Sequence, residues 1–198
     1  FKKIFISQSL YQLSLNRDSF ELLQLIFPQF KNLKKIKRLT PLAKEKLKDI
    51  DFIFLLGLLT IDETDNLDYF LFKYNISKKD QKRLINIKNF FHSKKDTFKI
   101  NFQSLWKYYY LYGQQSLNDI LNFKIFISKK NDKKFIDLIH YFKNKKAPVF
   151  PIKAEDLMKK FNFTEGKKLG ENLKILEDYW INNNFKINEK DIKKIVKY

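Results

Sequence analysis

The chain has 198 residues, with 40 Lys or Arg against 22 Asp or Glu, a formal charge of +18, and no cysteine. Without cysteine there are no disulfides and no thiolate metal sites, which fits a reducing compartment. With 44% hydrophobic and 17% aromatic residues, it can bury a core for one large domain or two small ones. The longest apolar run, Phe52 to Leu59, is too short to span a bilayer, and no signal-peptide pattern opens the chain. The lysine excess points to a polyanionic partner, nucleic acid first and acidic membrane second. A blander source contributes as well. Lys, Ile, Asn and Phe are all heavily used and arginine occurs only at Arg17, Arg38 and Arg83, as coding by an AT-rich genome would produce. The chain begins at Phe1 and its only methionine is Met158; we therefore expect a piece of a longer protein, or a processed one.

In chain order, a first helix is expected to end near Leu15, with Ile4, Tyr11 and Leu15 as apolar anchors. Asn16 or Asp18 can cap the next helix by accepting from its free N–H groups. There Phe20, Leu23 and Phe27 share a face, with Leu22 and Ile26 alongside, and Pro28 stops the helix. The basic run Lys31 to Arg38 reads as a solvated helix face. Pro41 suits the first turn of another helix. Asp49 and Asp51 then precede a wholly apolar stretch, read as a buried core helix. Asp49-Ile50-Asp51 matches the Asp-x-Asp pair on which nucleotidyltransferases hold two metal ions. That pair belongs on a strand after a glycine-rich loop, and this chain has no Gly-Gly, so helix capping is the better account.

An acidic stretch, Asp62 to Asp68, leads into the aromatic Tyr69 to Tyr74. Ser77 is a good N-cap, with Asp80 in the first turn, and Leu84, Ile87 and Phe91 continue an apolar face. Lys78, Lys79, Lys82 and Arg83 cluster here, a basic helix start beside an aromatic run that suits an RNA backbone. Trp106 to Tyr112 offers rings that could stack on bases, although a core stripe is the better reading. Gly113 ends that helix and Gln114 to Ser128 forms the next. Phe135, Leu138, Ile139 and Phe142 give a helical face closed by Lys143, Lys145 and Lys146. His92 and His140 lack ligand-spaced neighbours and read as packing or surface residues. No P-loop, zinc motif or Ser-His-Asp arrangement occurs.

The most informative stretch is Pro148 to Ile181. Pro148 and Pro151 hold the chain extended. A short helix from Ala154 to Phe161 follows, then Gly166 in a turn. A longer helix carries Leu169, Leu173, Leu176 and Trp180 on one face. Gly170, four residues after Gly166, suggests a close backbone approach. Ile192, Ile195 and Val196 mark a final helix. The faces throughout have helical period and none alternates as a strand does. The expected fold class is all-α, a multi-helix bundle of about ten helices.

Pro151, Asp156, Leu157, Gly166, Leu169, Gly170, Leu173, Leu176, Trp180 and Ile181, in this order and spacing, resemble the C-terminal region of bacterial class II CCA-adding enzymes, of the tRNA nucleotidyltransferase and poly(A) polymerase family. Ala154 stands where that family usually has glycine. Leu23 to Phe30 resembles the family's helix end and Pro-Glu turn, with Gln29 in place of the glutamate. Lys73 to Leu84 resembles a body-domain helix that follows a short Leu-Ser or Ile-Ser turn. The resemblance implies a helical body over 1–146 and a helical tail over 147–198, without the catalytic head. Its parent reaction is untemplated addition of C, C and A to tRNA 3′ ends in the cytoplasm, using CTP, ATP and Mg²⁺. This chain would then carry no catalytic or metal residue and no cofactor. It would dock the acceptor and T arms of tRNA, with no membrane partner. The candidate RNA contacts are Lys153, Lys159, Lys160, Lys167 and Lys168, which flank the loop glycines Gly166 and Gly170, together with Lys78, Lys79, Lys82 and Arg83. Two other classes compete: a stand-alone helical RNA-binding module, and a protein-interaction domain.

Overall fold

The computed structural model describes residues 7–92 and 101–196, and among them every regular element is a helix. The protein is all-α, with twelve helices among the described residues. It divides into two compact units. Within the described residues the first comprises 7–92 with 112–145, and the second 101–111 with 146–196. The second unit is larger than the tail read from the sequence, because it includes Asn101–Leu111.

In the first unit the elements are α1 (Ser7–Leu15), α2 (Arg17–Ile26), α3 (Leu33–Ile36), α4 (Pro41–Lys46), α5 (Phe52–Thr60), α6 (Asn66–Lys73) and α7 (Lys78–His92). The later part of α8 (Phe102–Ile127) and α9 (Lys134–Lys143) complete it. Local chemistry sets most boundaries. The Asn16 side chain accepts from the Ser19 N–H at 2.9 Å and starts α2. Thr40 caps α4, which has Pro41 in its first turn. Asp51 accepts from the N–H groups of Ile53 and Phe54 at 2.9 and 3.0 Å and starts α5. Each such cap satisfies donors the helix cannot. Gly113 breaks α8 with φ 80° and ψ 174°, so its two halves are separate helices, as the glycine signals.

The core of the first unit is built on α5. From Phe54 to Thr60 every residue is buried, and its neighbours are α6 and α7. Gly57 is the point of closest packing: a Cβ there would lie 3.1 Å from Leu84 Cδ2. Phe30, Leu33, Leu55, Leu56, Leu59, Phe70 and Leu84 fill the centre, each fully buried side chain contributing about 1.5–3 kcal/mol before entropy is charged against it. Some expectations fail at the edges. Leu15, an expected anchor, is 52% exposed, and Leu22 and Ile26 also face solvent. The burial of Phe20, Leu23 and Phe27 already uses the inner stripe of α2, and a helix has only one. Ile4 lies outside the described residues.

The second unit contains the first turns of α8, then α10 (Ala154–Phe161), α11 (Lys167–Asn182) and α12 (Glu189–Ile195). α11 packs on both α10 and α12, around Leu157, Leu169, Leu176 and Val196. Trp180, 3% exposed, gathers three aromatic rings. Tyr110 and Phe185 meet it edge-on at 5.2 and 4.9 Å between centroids, and Phe150 lies at 5.4 Å. The Tyr110 hydroxyl donates to the Glu177 carboxylate, and Lys107 Nζ donates to Asn182 Oδ1 at 3.0 Å. These contacts assign Asn101–Leu111 to this unit.

Candidate nucleic-acid interface

The turn from α10 to α11 begins with a left-handed residue, Asn162 at φ 54°, and ends at Gly166, whose φ of 153° and ψ of −170° suit only glycine. At the start of α10 the Asp156 carboxylate accepts the Lys153 N–H at 3.0 Å. That bond explains the Asp-Leu pair: the aspartate closes the helix start while Leu157, 1% exposed, enters the core. No side chain caps α11. Its first residues, Lys167 and Lys168, are exposed at a helix start, where anions are favoured.

The five lysines of this turn are all exposed, but they are not equivalent. Lys160 Nζ donates to Glu189 at 2.8 Å, and this bond raises the lysine's pKa and lowers the glutamate's. Lys167 lies 3.8 Å from Glu171. Exposed pairs of this kind contribute little, so a phosphate could displace either carboxylate. Lys153, Lys159 and Lys168 have no carboxylate partner among the described residues.

Gly170 does not do what its spacing suggested. A Cβ there meets nothing within 4 Å, so no backbone approaches it. Asn172, two residues further on, is buried, its amide donating to the Lys168 carbonyl at 3.0 Å, a role the sequence did not reveal.

On α7, Ser77 caps the helix through the Asp80 N–H at 3.2 Å, and Lys78, Lys79 and Lys82 are exposed. Arg83 differs. Its Nη1 and Nη2 donate to the Asp51 carboxylate at 2.9 and 2.7 Å, and its Nε and Nη2 donate to Asp119 at 2.7 and 2.8 Å. The side chain is 18% exposed and that of Asp119 only 3%. Burial opposes the charge on Arg83, but the two carboxylates outweigh it and raise its pKa. Burial likewise opposes the Asp51 carboxylate, yet the bonds from Arg83 and the α5 N–H groups hold it below its usual pKa. Arg83 is thus a clasp joining α5, α7 and the later part of α8, with its charge used inside the fold. Asp119, its main partner, carried no sequence signal, because the pairing spans 36 positions.

The same contacts account for Asp49-Ile50-Asp51. Asp51 is a cap and an arginine partner, while Asp49 pairs with Lys46 at 3.4 Å. Among the described residues no group of three or more His, Cys, Asp or Glu could hold a metal ion. The donor set of a two-metal site is not assembled here. His92 donates from Nε2 to the Asp62 carbonyl, and His140 is exposed. Tyr108 and Tyr109 are buried and Tyr110 is bonded to Glu177, so most of the Trp106–Tyr112 rings serve packing. No described helix is long and apolar enough to cross a membrane. Comparison with protein-family models, with curated proteins and with solved structures returned no match.

Proposed function

We propose that this chain is a non-catalytic RNA-docking module, the helical body and tail of a CCA-adding tRNA nucleotidyltransferase. In this reading the metal carboxylates and the CTP and ATP pocket belong to a head outside these 198 residues. The observation that carries the proposal is the set of exposed, carboxylate-free lysines, Lys153, Lys159 and Lys168, around the uncapped start of α11. Duplex RNA offers a protein its shape, its phosphates and its 2′-hydroxyls more than its base edges, and ammonium groups set on rigid helices suit that surface. The motif residues support the family reading differently. Leu157, Leu169, Leu176, Trp180 and Ile181 are the core of the second unit, so the motif specifies how this unit folds, while the lysines specify its partner.

The test is fluorescence anisotropy with a labelled acceptor–T-arm minihelix, competed by unlabelled tRNA and by heparin at equal charge. Preferential displacement by tRNA, with affinity falling steeply as salt rises, is the expected result. Equal displacement by heparin removes the tRNA claim. A protein-interaction role has one observation in its favour, the exposed Leu22, Leu25 and Ile26 on α2; salt-independent failure to bind any RNA would favour it.

A further inference from the structure

A groove in the first unit runs between α6 and α7, lined by Asp68, Leu71, Phe72, Lys73, Asn75 and Gln81. Leu67, Phe70 and Leu71 do the packing of α6 and are buried. Phe72 does none: its side chain is 90% exposed, and Tyr69, three residues earlier, is 56% exposed. Residues three apart share a helix face, so two exposed aromatic residues lie on one side of α6, with Phe72 lining the groove. Phe72 makes no ring contact with another described residue.

The exposed charge around these rings is mostly positive, although Asp68 lines the groove. Lys78, Lys79 and Lys82 are exposed and form no ion pair among the described residues. The Lys73 ammonium lies 5.4 Å over the Tyr74 ring and has no carboxylate partner there. Two of the nearby acids are engaged, while Asp65, four residues before Tyr69, is exposed and in no ion pair among the described residues. Asp68 pairs with Lys88, and Asp80 accepts from the Ser77 hydroxyl at 2.7 Å. An exposed ring beside uncompensated ammonium groups complements a nucleotide, whose base offers a π face and whose phosphate offers negative charge. A protein or membrane surface would call for a broader apolar area than two rings ringed by cations.

We propose that Phe72, with Tyr69 and the lysines at 73, 78, 79 and 82, binds an unpaired nucleotide of single-stranded RNA by stacking, with little preference for the base. The proposed function and this site share only a class of partner. Docking of a duplex through Lys153, Lys159 and Lys168 uses a different surface and different chemistry.

The experiment uses the full chain and two probes: a single-stranded 12-mer carrying 2-aminopurine, and a blunt duplex of the same length. Phe72→Ala should weaken single-strand binding about tenfold, within the range that one stacked base supplies, and should reduce the quenching of 2-aminopurine. Duplex affinity should stay within about twofold, and Phe72→Trp should restore single-strand binding. Replacing Lys78, Lys79 and Lys82 together by alanine should weaken single-strand binding and flatten its salt dependence. Because Phe72 is almost fully exposed, the alanine variant should melt with the wild type. Unchanged single-strand binding by Phe72→Ala, or equal losses for single strand and duplex, would overturn the proposal. So would loss of self-association in place of RNA binding, read by sedimentation. Unchanged duplex binding in the Lys153→Ala/Lys159→Ala/Lys168→Ala variant would count against the proposed function and leave this site standing.

Discussion

Replacing Arg83 by methionine separates the two roles open to a charged position on a basic helix. Methionine keeps an unbranched stem against α7's neighbours and removes the cation. Asp119, 3% exposed, then retains only the Gln115 amide at 3.0 Å. Removing one partner of a buried ion pair costs about 3–5 kcal/mol. Arg83 is 18% exposed, which places this case at the lower end of that range. Asp51, 52% exposed, adds at most about 1 kcal/mol. We expect a loss of about 3 kcal/mol, or a fall of about 1.5 M in urea midpoint if the slope is about 2 kcal/mol/M. Both tryptophans, Trp106 and Trp180, lie in the second unit, so far-UV circular dichroism is the readout for the first unit and tryptophan fluorescence reports the second separately. Adding Asp119→Leu to Arg83→Met should recover at least half of the loss, since the orphaned carboxylate is then gone. Below its unfolding transition, Arg83→Met should bind tRNA within twofold of the wild type. A midpoint shift under about 0.3 M would refute the clasp, and a tenfold loss of tRNA affinity in the folded variant would show that Arg83 reaches the RNA.

Two glycines four apart should respond oppositely to alanine. Gly166→Ala, at φ 153°, should destabilise the second unit by about 1–3 kcal/mol, whereas Gly170→Ala, in open space inside α11, should stabilise it by about 0.5–1 kcal/mol; thermal melts followed by tryptophan fluorescence decide. Burial and the Glu177 carboxylate push Tyr110 up to about 12. A raised pKa means that its contribution is complete below about 10, the unfolded value, and is lost as pH climbs from there through about 12. Absorbance at 295 nm should show a late-titrating tyrosine near pH 12 that Tyr110→Phe removes. The depressed Asp51 pKa has the opposite sign: its contribution is present above about 4 and lost as pH falls through the folded value. Arg83→Met should flatten acid destabilisation of the first unit, measured as urea midpoint against pH.

The features legible in the sequence were the local ones. Asn16, Asp51 and Ser77 cap helices because a cap reaches only two or three residues along the chain, a distance over which composition and order are informative. Gly113 marks the break in α8 for the same reason. Contacts distant in sequence were not legible. Nothing near Arg83 indicates that Asp119, 36 positions on, will bind it. Nothing in Trp106–Tyr112 shows that Tyr110 will join Trp180 in the second unit. Glycine misled in one place and was overlooked in another. Gly170 lay in a spaced pair with Gly166 yet approaches no backbone, whereas Gly57, hidden in a wholly apolar helix, leaves room for Leu84 of α7. The lysines were visible as charges, but only the structure separates Lys153, Lys159 and Lys168 from Lys160, which is paired, and from Arg83, which is enclosed.

The central claim is that a defined set of lysines holds RNA by its phosphates. The most direct test measures minihelix affinity against salt for the wild type and for Lys153→Ala/Lys159→Ala/Lys168→Ala. If each lysine neutralises one phosphate, the slope of log affinity on log salt should become less negative by about 2–3, with circular dichroism unchanged. An unaltered slope, with affinity intact, would contradict the account and transfer the RNA, if it binds at all, to another face.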